Sequence, residues 1–130
     1  MSVPSPEERV DAVAAVLRGL AKSAAQANLA RSSVIDEAVR AAEGGELLEP
    51  QRVAALAAAH QVVGSAGTFG WPRASRTAAD LEHFFAEVTP TRPGLDPDDV
   101  RRARQALEEL TALLSEGADE QDGSYEDADE

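Results

Sequence analysis

The chain has 130 residues, of which 43% are hydrophobic but only 4% aromatic, and it contains no cysteine. This length suits a single domain, and the lack of cysteine excludes disulfides and thiol chemistry. The formal charge is −12, without the basic surplus that binds phosphates, so we expect no nucleic-acid partner. No apolar run approaches the roughly 20 residues that cross a bilayer, and the first residues lack a signal-peptide profile. We therefore expect a cytoplasmic protein.

The first predicted element is one long helix that begins after Ser5 and ends at Gly44-Gly45. The sequence SPEE at residues 5–8 combines an N-cap serine, a proline at the first helical position and an acidic first turn. Apolar residues then recur at alternating spacings of three and four, interrupted only where Arg31 occupies one position, which indicates one face of a helix. These residues are Val10, Val13, Leu17, Leu20, Ala24, Ala27, Val34 and Ala38. We expect residues 1–27 to form a helical extension of the main domain.

Three further amphipathic helices are predicted along the chain. The second runs from Pro50 to about Gly67, the third from Pro72 to Val88, and the last begins after Asp96. The apolar face of the second helix consists of Ala55, Leu56, Ala59, Val62, Val63 and Ala66. That of the third consists of Ala74, Ala78, Leu81, Phe85 and Val88, and that of the last consists of Val100, Ala103, Leu107, Leu110 and Leu114. Short connections between such helices are typical of an antiparallel four-helix bundle. The predicted fold is therefore all-α, with this bundle at residues 28–116.

The C-terminal segment, residues 117–130, holds seven acidic residues and no basic one. Such a composition is typical of a disordered acidic tail. The tail could contact a basic partner, but we interpret it as a solvating terminus.

Residues 58–71, AAHQVVGSAGTFGW, place a histidine and three glycines in and after the second helix. At 100° per residue, His60 lies roughly 110° from the centre of the apolar face, with Gly64 and Gly67 on its own surface. Each glycine inside a helix costs about 1 kcal/mol relative to alanine. Close helix packing around Ala66, or helix termination at Gly67 and Gly70, would explain the glycines structurally. The functional explanation is a surface kept bare around a nucleophilic imidazole, against which a partner brings its own active site.

The run AHQVVGSAGTFG at residues 59–70, followed by Leu81-Glu82 on the next helix, resembles a histidine-containing phosphotransfer (HPt) domain. The resemblance covers roughly residues 28–116 and implies an antiparallel four-helix bundle with the histidine exposed on the second long helix. It implies that His60 is the phosphorylated residue and that Glu82 lies near the imidazole. By the same resemblance, the partner-binding residues are Gln61, Gly64, Ser65, Gly67 and Glu82, and Phe69 is a core aromatic.

The resemblance also implies the role and the partners. The chain would relay a phosphoryl group in a two-component phosphorelay, and would be a transfer intermediate rather than an enzyme. Its partners would be a response-regulator receiver domain, a hybrid sensor histidine kinase, or both. No cofactor or metal is expected on this chain, because magnesium is expected on the partner receiver.

One position departs from the family pattern. Many members carry a lysine three residues after the histidine, where its charge assists the phosphoryl group, whereas this chain has Val63. The closest basic residues in sequence are Arg73 and Arg76. Val63 favours an alternative hypothesis, a non-catalytic helical adaptor that binds a receiver or kinase without carrying phosphate. A third hypothesis is a dimerising module built on the long first helix, although we expect a monomer.

Two further side chains have competing interpretations. A metal site of His60, Glu82 and His83 is awkward, because consecutive helical positions point about 100° apart. We interpret His83 as a surface or boundary histidine. Trp71 is either an exposed docking aromatic or a cap on the core, and we favour the cap.

Overall fold

The computed structural model describes residues 3–88 and 95–127, with side chains described for residues 3–88 and 95–117. It contains four helices: α1 (Pro6–Glu43), α2 (Glu49–Thr68), α3 (Pro72–Glu87) and α4 (Pro97–Asp127). α1 and α3 each pack against both α2 and α4. The predicted all-α four-helix bundle is confirmed, and α1 runs unbroken through residue 27, where the extension was predicted to end.

Two hydrogen bonds between α2 and α3 fix the relative direction of these helices. The Arg52 guanidinium, near the start of α2, donates to the carbonyl oxygen of Phe85 near the end of α3 at 2.8 Å. Towards the opposite ends, the Ser75 hydroxyl donates to the carbonyl oxygen of Val63 at 2.9 Å. The two helices are therefore antiparallel.

The helix boundaries follow from local signals in the sequence. Ser5 forms a capping box with Glu8, in which each side chain accepts from the other residue's backbone N–H, at 3.1 and 3.0 Å. Gly45 and Gly70 have φ values of +75° and +76°, a left-handed conformation that glycine adopts without steric penalty. These two glycines therefore allow the chain to turn sharply after α1 and after α2.

The backbone of the fourth helix extends beyond the predicted bundle. It is helical from Pro97 through Asp127 and so includes residues 117–127 of the predicted acidic tail. The segment contains no proline, and adding residues to an existing helix avoids the nucleation cost that limits isolated short helices. Residues 128–130 of the predicted tail lie outside the described residues.

The core uses the predicted faces of α2, α3 and α4. All five predicted positions of α4 are buried, as are four of six on α2 and four of five on α3. The remaining three, Leu56, Val63 and Val88, are half-buried and pack against the core. Periodicity therefore identified these three faces correctly.

The prediction for the buried face of α1 is met only in its second half. The predicted residues Val10, Val13, Leu17 and Leu20 are 67%, 58%, 56% and 52% exposed. The buried positions are Ala21, Ala25, Asn28, Ser32, Ile35, Ala38, Val39 and Ala42, of which only Ala38 was predicted. Val10, Leu17 and Leu20 precede Asn28, Ile35 and Ala38 by five whole turns and share their face, so they are exposed because they lie before the part of α1 that the bundle covers.

A charged clamp holds the C-terminal half of α1 against α4. The Arg104 guanidinium lies 2.8 Å from the Asp36 carboxylate and 2.7 Å from the Glu43 carboxylate. The hydrogen bond from Arg104 lowers the pKa of Glu43, and the same bond raises the pKa of Arg104. The clamp joins the end of α1 to the first part of α4, as an antiparallel arrangement of these helices requires.

Candidate functional site

His60 lies on the flank of α2, as its helical position predicts. Its side chain is 75% exposed, and the adjacent Gln61 is exposed as well. Behind His60, Ala59 is fully buried in the core and holds this turn of α2 against the bundle. The imidazole is therefore presented to solvent from a rigid helix.

Glu82 of α3 fixes the orientation of this imidazole. One carboxylate oxygen, Oε2, lies 2.6 Å from Nδ1 of His60. An ionised carboxylate can only accept a hydrogen bond, so the imidazole proton belongs on Nδ1. The neutral ring then carries its lone pair on Nε2, the nitrogen available to react. The Glu82 side chain is 29% exposed, much less than the histidine that it positions.

The glycines beside His60 are not needed for packing within the chain. A methyl group at Gly64 would meet no atom of the protein within 4 Å, and one at Gly67 would make only an ordinary 3.7 Å contact with the Ser75 hydroxyl. Close packing of a neighbouring backbone therefore explains neither glycine. Termination of α2 explains Gly70, whose φ is positive, but not Gly64, which lies inside the helix.

The surface around the histidine carries small side chains and no basic contact. Ala57 precedes His60 by one turn of α2, while Ala79 and Ala86 flank Glu82 on α3, and all three are exposed. Of the described lysines and arginines other than Arg18 and Lys22, none forms a hydrogen bond or ion pair with His60 or Glu82. The site is accordingly open, shallow and without a cation of its own.

Ser65 lies on a different side of α2 from the histidine. It is half-buried, and its hydroxyl accepts a hydrogen bond from the fully buried amide of Asn28 on α1, at 3.1 Å. Arg31 in turn donates to the Asn28 side-chain oxygen at 2.7 Å. The structure thus brings His60, Gly64 and Glu82 to one surface, while Ser65 connects α2 to α1. Sequence reasoning missed Asn28, since periodicity gives no signal for a buried polar residue.

The other candidate side chains face elsewhere. Arg73 lies 3.4 Å from Glu109 of α4, away from the histidine. Trp71 is half-buried, stacks on Phe69 at 5.5 Å and packs against the core, which supports the core-cap interpretation. His83 is 75% exposed, 3.9 Å from Glu87. Among the described residues, no group of three potential ligands is placed to hold a metal ion.

The fold and this surface define a class of protein: a small helical bundle that presents one oriented histidine to solvent. The Hpt domain family matches residues 20–119, which is more than half of the chain, and the protein belongs to this family. Its members are phosphotransfer intermediates of phosphorelays, and they interact with receiver domains and histidine kinases. No curated protein and no solved structure matches the chain. Within the described residues, no helix has the length and hydropathy to span a membrane.

Proposed function

We propose that the chain carries its phosphoryl group on Nε2 of His60 and exchanges it with the aspartate of a receiver domain. The observation that carries this proposal is the pairing of an exposed imidazole with a less exposed carboxylate, at 2.6 Å from Nδ1. The pairing leaves one nitrogen nucleophilic and directs it towards solvent. Gln61, Gly64 and Glu82 form the surface on which the receiver docks.

The transfer follows from this geometry. The Nε2 lone pair attacks the phosphorus of the receiver's aspartyl phosphate in line with the scissile P–O bond. The N–P bond forms, the P–O bond breaks, and its electron pair leaves with the aspartate carboxylate. The Nδ1 proton stays on the ring, so the phosphorylated imidazole is cationic and the Glu82 carboxylate stabilises it by a charge-assisted hydrogen bond. The reverse sequence returns the group to a receiver.

The partner supplies the positive charge that the transferred group needs. Val63 occupies the position where many family members have lysine, and it is half-buried against the core. Its backbone carbonyl is engaged by the Ser75 hydroxyl of α3. Magnesium and basic side chains on the receiver therefore provide the electrostatic stabilisation, and this chain needs no cofactor of its own.

The proposal is tested by incubating the protein with a phosphorylated receiver and following the label. We expect an acid-labile, base-stable phosphoryl group on the wild type and none on His60→Gln. His83→Gln is the matched control, because both histidine side chains are 75% exposed and each has a glutamate neighbour. Label that persists in His60→Gln, or that disappears in His83→Gln, contradicts the assignment of the site.

A second candidate function is an adaptor that binds a receiver or kinase without carrying phosphate. The observation that favours it is Val63, together with the lack of a basic contact to His60 or Glu82 from the described lysines and arginines other than Arg18 and Lys22. An adaptor predicts receiver binding that is unchanged by phosphorylation and by His60→Ala. Binding titrations of wild type and variant against phosphorylated and unphosphorylated receiver separate it from the carrier.

A further inference from the structure

The first part of α1 carries an apolar stripe that the rest of the described chain leaves exposed. We call Val10, Val13, Leu17 and Leu20 the N-terminal stripe; each is more than half exposed. Within residues 3–20 none is buried, and only Ala14 is half-buried. The family match begins at residue 20, next to Ala21, the first buried residue of the helix. The first three residues of the N-terminal stripe therefore precede the family match, and the fourth, Leu20, is its first residue.

The spacing of the N-terminal stripe fits a second helix. Its members are separated by three, four and three residues, which are the a and d positions of a heptad repeat. A period of 3.5 keeps the stripe facing a supercoiled helical partner, whereas the helix itself turns every 3.6 residues. Contiguous apolar surface of this kind on a protein marks an interaction site.

The order of residues makes the N-terminal stripe complementary to itself when one copy is reversed. In the antiparallel register centred on residue 15, Val10 faces Leu20 of a second copy and Val13 faces Leu17. Each of the four layers then pairs one valine with one leucine, so all layers have the same volume. A parallel register would instead stack two valine–valine layers and two leucine–leucine layers.

The charges on this part of α1 favour the same direction. Glu7, Glu8, Arg9 and Asp11 lie in its first turns and sum to −2, whereas Arg18 and Lys22 follow after the middle and sum to +2. Arg18 and Lys22 also interact within their own chain. An antiparallel pair brings the acidic end of each helix alongside the basic end of the other, and a parallel pair brings like charges together. Antiparallel helix dipoles add to the preference.

We propose that the N-terminal stripes of two copies pair as an antiparallel coiled coil and that the protein forms a homodimer. This dimerisation is independent of the proposed phosphotransfer, because Val10, Val13 and Leu17 precede the family match and Leu20 is its first residue, away from the surface of α2 that carries His60. The seam from residue 10 to residue 20 is roughly 15 Å long at 1.5 Å per residue. So short a seam gives a reversible dimer whose population rises with protein concentration.

Sedimentation velocity of the full chain over a range of concentrations tests the dimer. We expect the wild type to shift from monomer to dimer, and Leu17→Glu to weaken self-association at least tenfold. Leu48→Glu is the matched control, since Leu48 is 61% exposed, comparable with 56% for Leu17, but lies at the start of α2. Thermal unfolding checks that the bundle of each variant stays folded.

Cysteine cross-linking tests the direction, because the chain has no cysteine of its own. Oxidising an equal mixture of Val13→Cys and Leu17→Cys should give disulfide-linked dimers of one variant with the other, and neither variant alone should cross-link efficiently. Efficient cross-linking of Val13→Cys alone shows a parallel pair and overturns the proposed register. A wild type that is monomeric at every concentration overturns the dimer. The dimer is also overturned if Leu17→Glu weakens receiver binding but leaves self-association unchanged, since the N-terminal stripe is then a receiver-docking surface.

Discussion

Replacing Gly64 by alanine distinguishes two explanations for the glycine beside His60, namely packing within the chain and clearance for a docking partner. Gly64 lies inside α2, its φ is not positive, and an added methyl group meets nothing within 4 Å. The substitution therefore creates neither strain nor new packing in the isolated chain. Only the difference in helix propensity remains, which raises the free energy of unfolding by about 1 kcal/mol. The melting temperature should rise by a few degrees, roughly what that free energy gives for a domain of this size.

The same methyl group should impair phosphotransfer. It lies one turn from His60 on the same face of α2, where the proposed receiver must approach closely. Overpacking an interface by one methyl group costs about 1–3 kcal/mol, so we expect transfer from a phosphorylated receiver to slow by roughly tenfold or more. Urea unfolding measures the gain in stability of Gly64→Ala, and the initial rate of label transfer measures its loss of phosphotransfer.

Gly19→Ala is the matched control for this experiment. Gly19 is also inside a helix, without positive φ and with nothing within 4 Å of an added methyl group. It should stabilise the protein by a similar amount and leave the transfer rate unchanged. If Gly64→Ala destabilises the protein, the open geometry at Gly64 is wrong. If Gly64→Ala stabilises the protein but transfers at the wild-type rate, the clearance explanation is refuted.

Three further substitutions test the contacts around the site and the clamp. Glu82→Gln keeps a hydrogen-bond acceptor for Nδ1 but removes the charge, so phosphorylation should slow by about tenfold, and an unchanged transfer rate would contradict the role of the carboxylate. Asn28→Ala removes the buried amide that joins Ser65 to Arg31, so urea unfolding should show an unfolding free energy lower by roughly 1–3 kcal/mol. Its control is Ser33→Ala, at an exposed position of the same helix, which should change the unfolding free energy by less than about 0.5 kcal/mol. Arg104→Met removes the partner that lowers the pKa of Glu43 below its ordinary 4.5. The stability from that lowered pKa is present above pH 4.5 and is lost as the pH falls through the pKa of Glu43 in the folded protein. The difference in unfolding free energy between wild type and Arg104→Met, measured in urea, should therefore be largest near neutral pH and shrink in acid. Because the Glu43 side chain is 41% exposed, we expect this contribution to be below about 1 kcal/mol, and a difference that grows in acid would contradict it.

The helices themselves could be predicted because their signals are local. Ser5 with Glu8, and the prolines at positions 6, 50, 72 and 97, mark helix starts whatever the rest of the chain does. Gly44-Gly45 marks the end of α1 in the same way. The end of α4 has no such mark, because no proline follows Pro97 and the backbone is helical to Asp127.

The point along α1 where burial begins could not be predicted from its own residues. Val10 to Leu20 share the face of Asn28, Ile35 and Ala38, yet only the later residues are buried. Where burial begins depends on the reach of the other helices, and the burial of Asn28 depends on the hydroxyl of Ser65 that meets its amide. Hydrophobic periodicity registers neither dependence.

The candidate site was predictable in part. The position of His60 on the flank of α2 follows from helical spacing, and the structure places it there. The approach of Glu82, distant in sequence, came from the family resemblance, since spacing within α2 contains no information about α3. The direction of Ser65, about 140° around α2 from His60, also follows from helical spacing. Its hydrogen bond with Asn28 depends on the packing of α1 and was not predictable from either source.

The central claim is that Nε2 of His60 carries the phosphoryl group while Nδ1 keeps its proton. Nitrogen-15 and phosphorus-31 NMR of the histidine-labelled, phosphorylated protein measures both features directly. The account predicts a phosphorus coupling on Nε2 of His60, a proton on Nδ1, and no phosphorylation of His83. A phosphoryl group on Nδ1 of His60, or on any other residue, would contradict it.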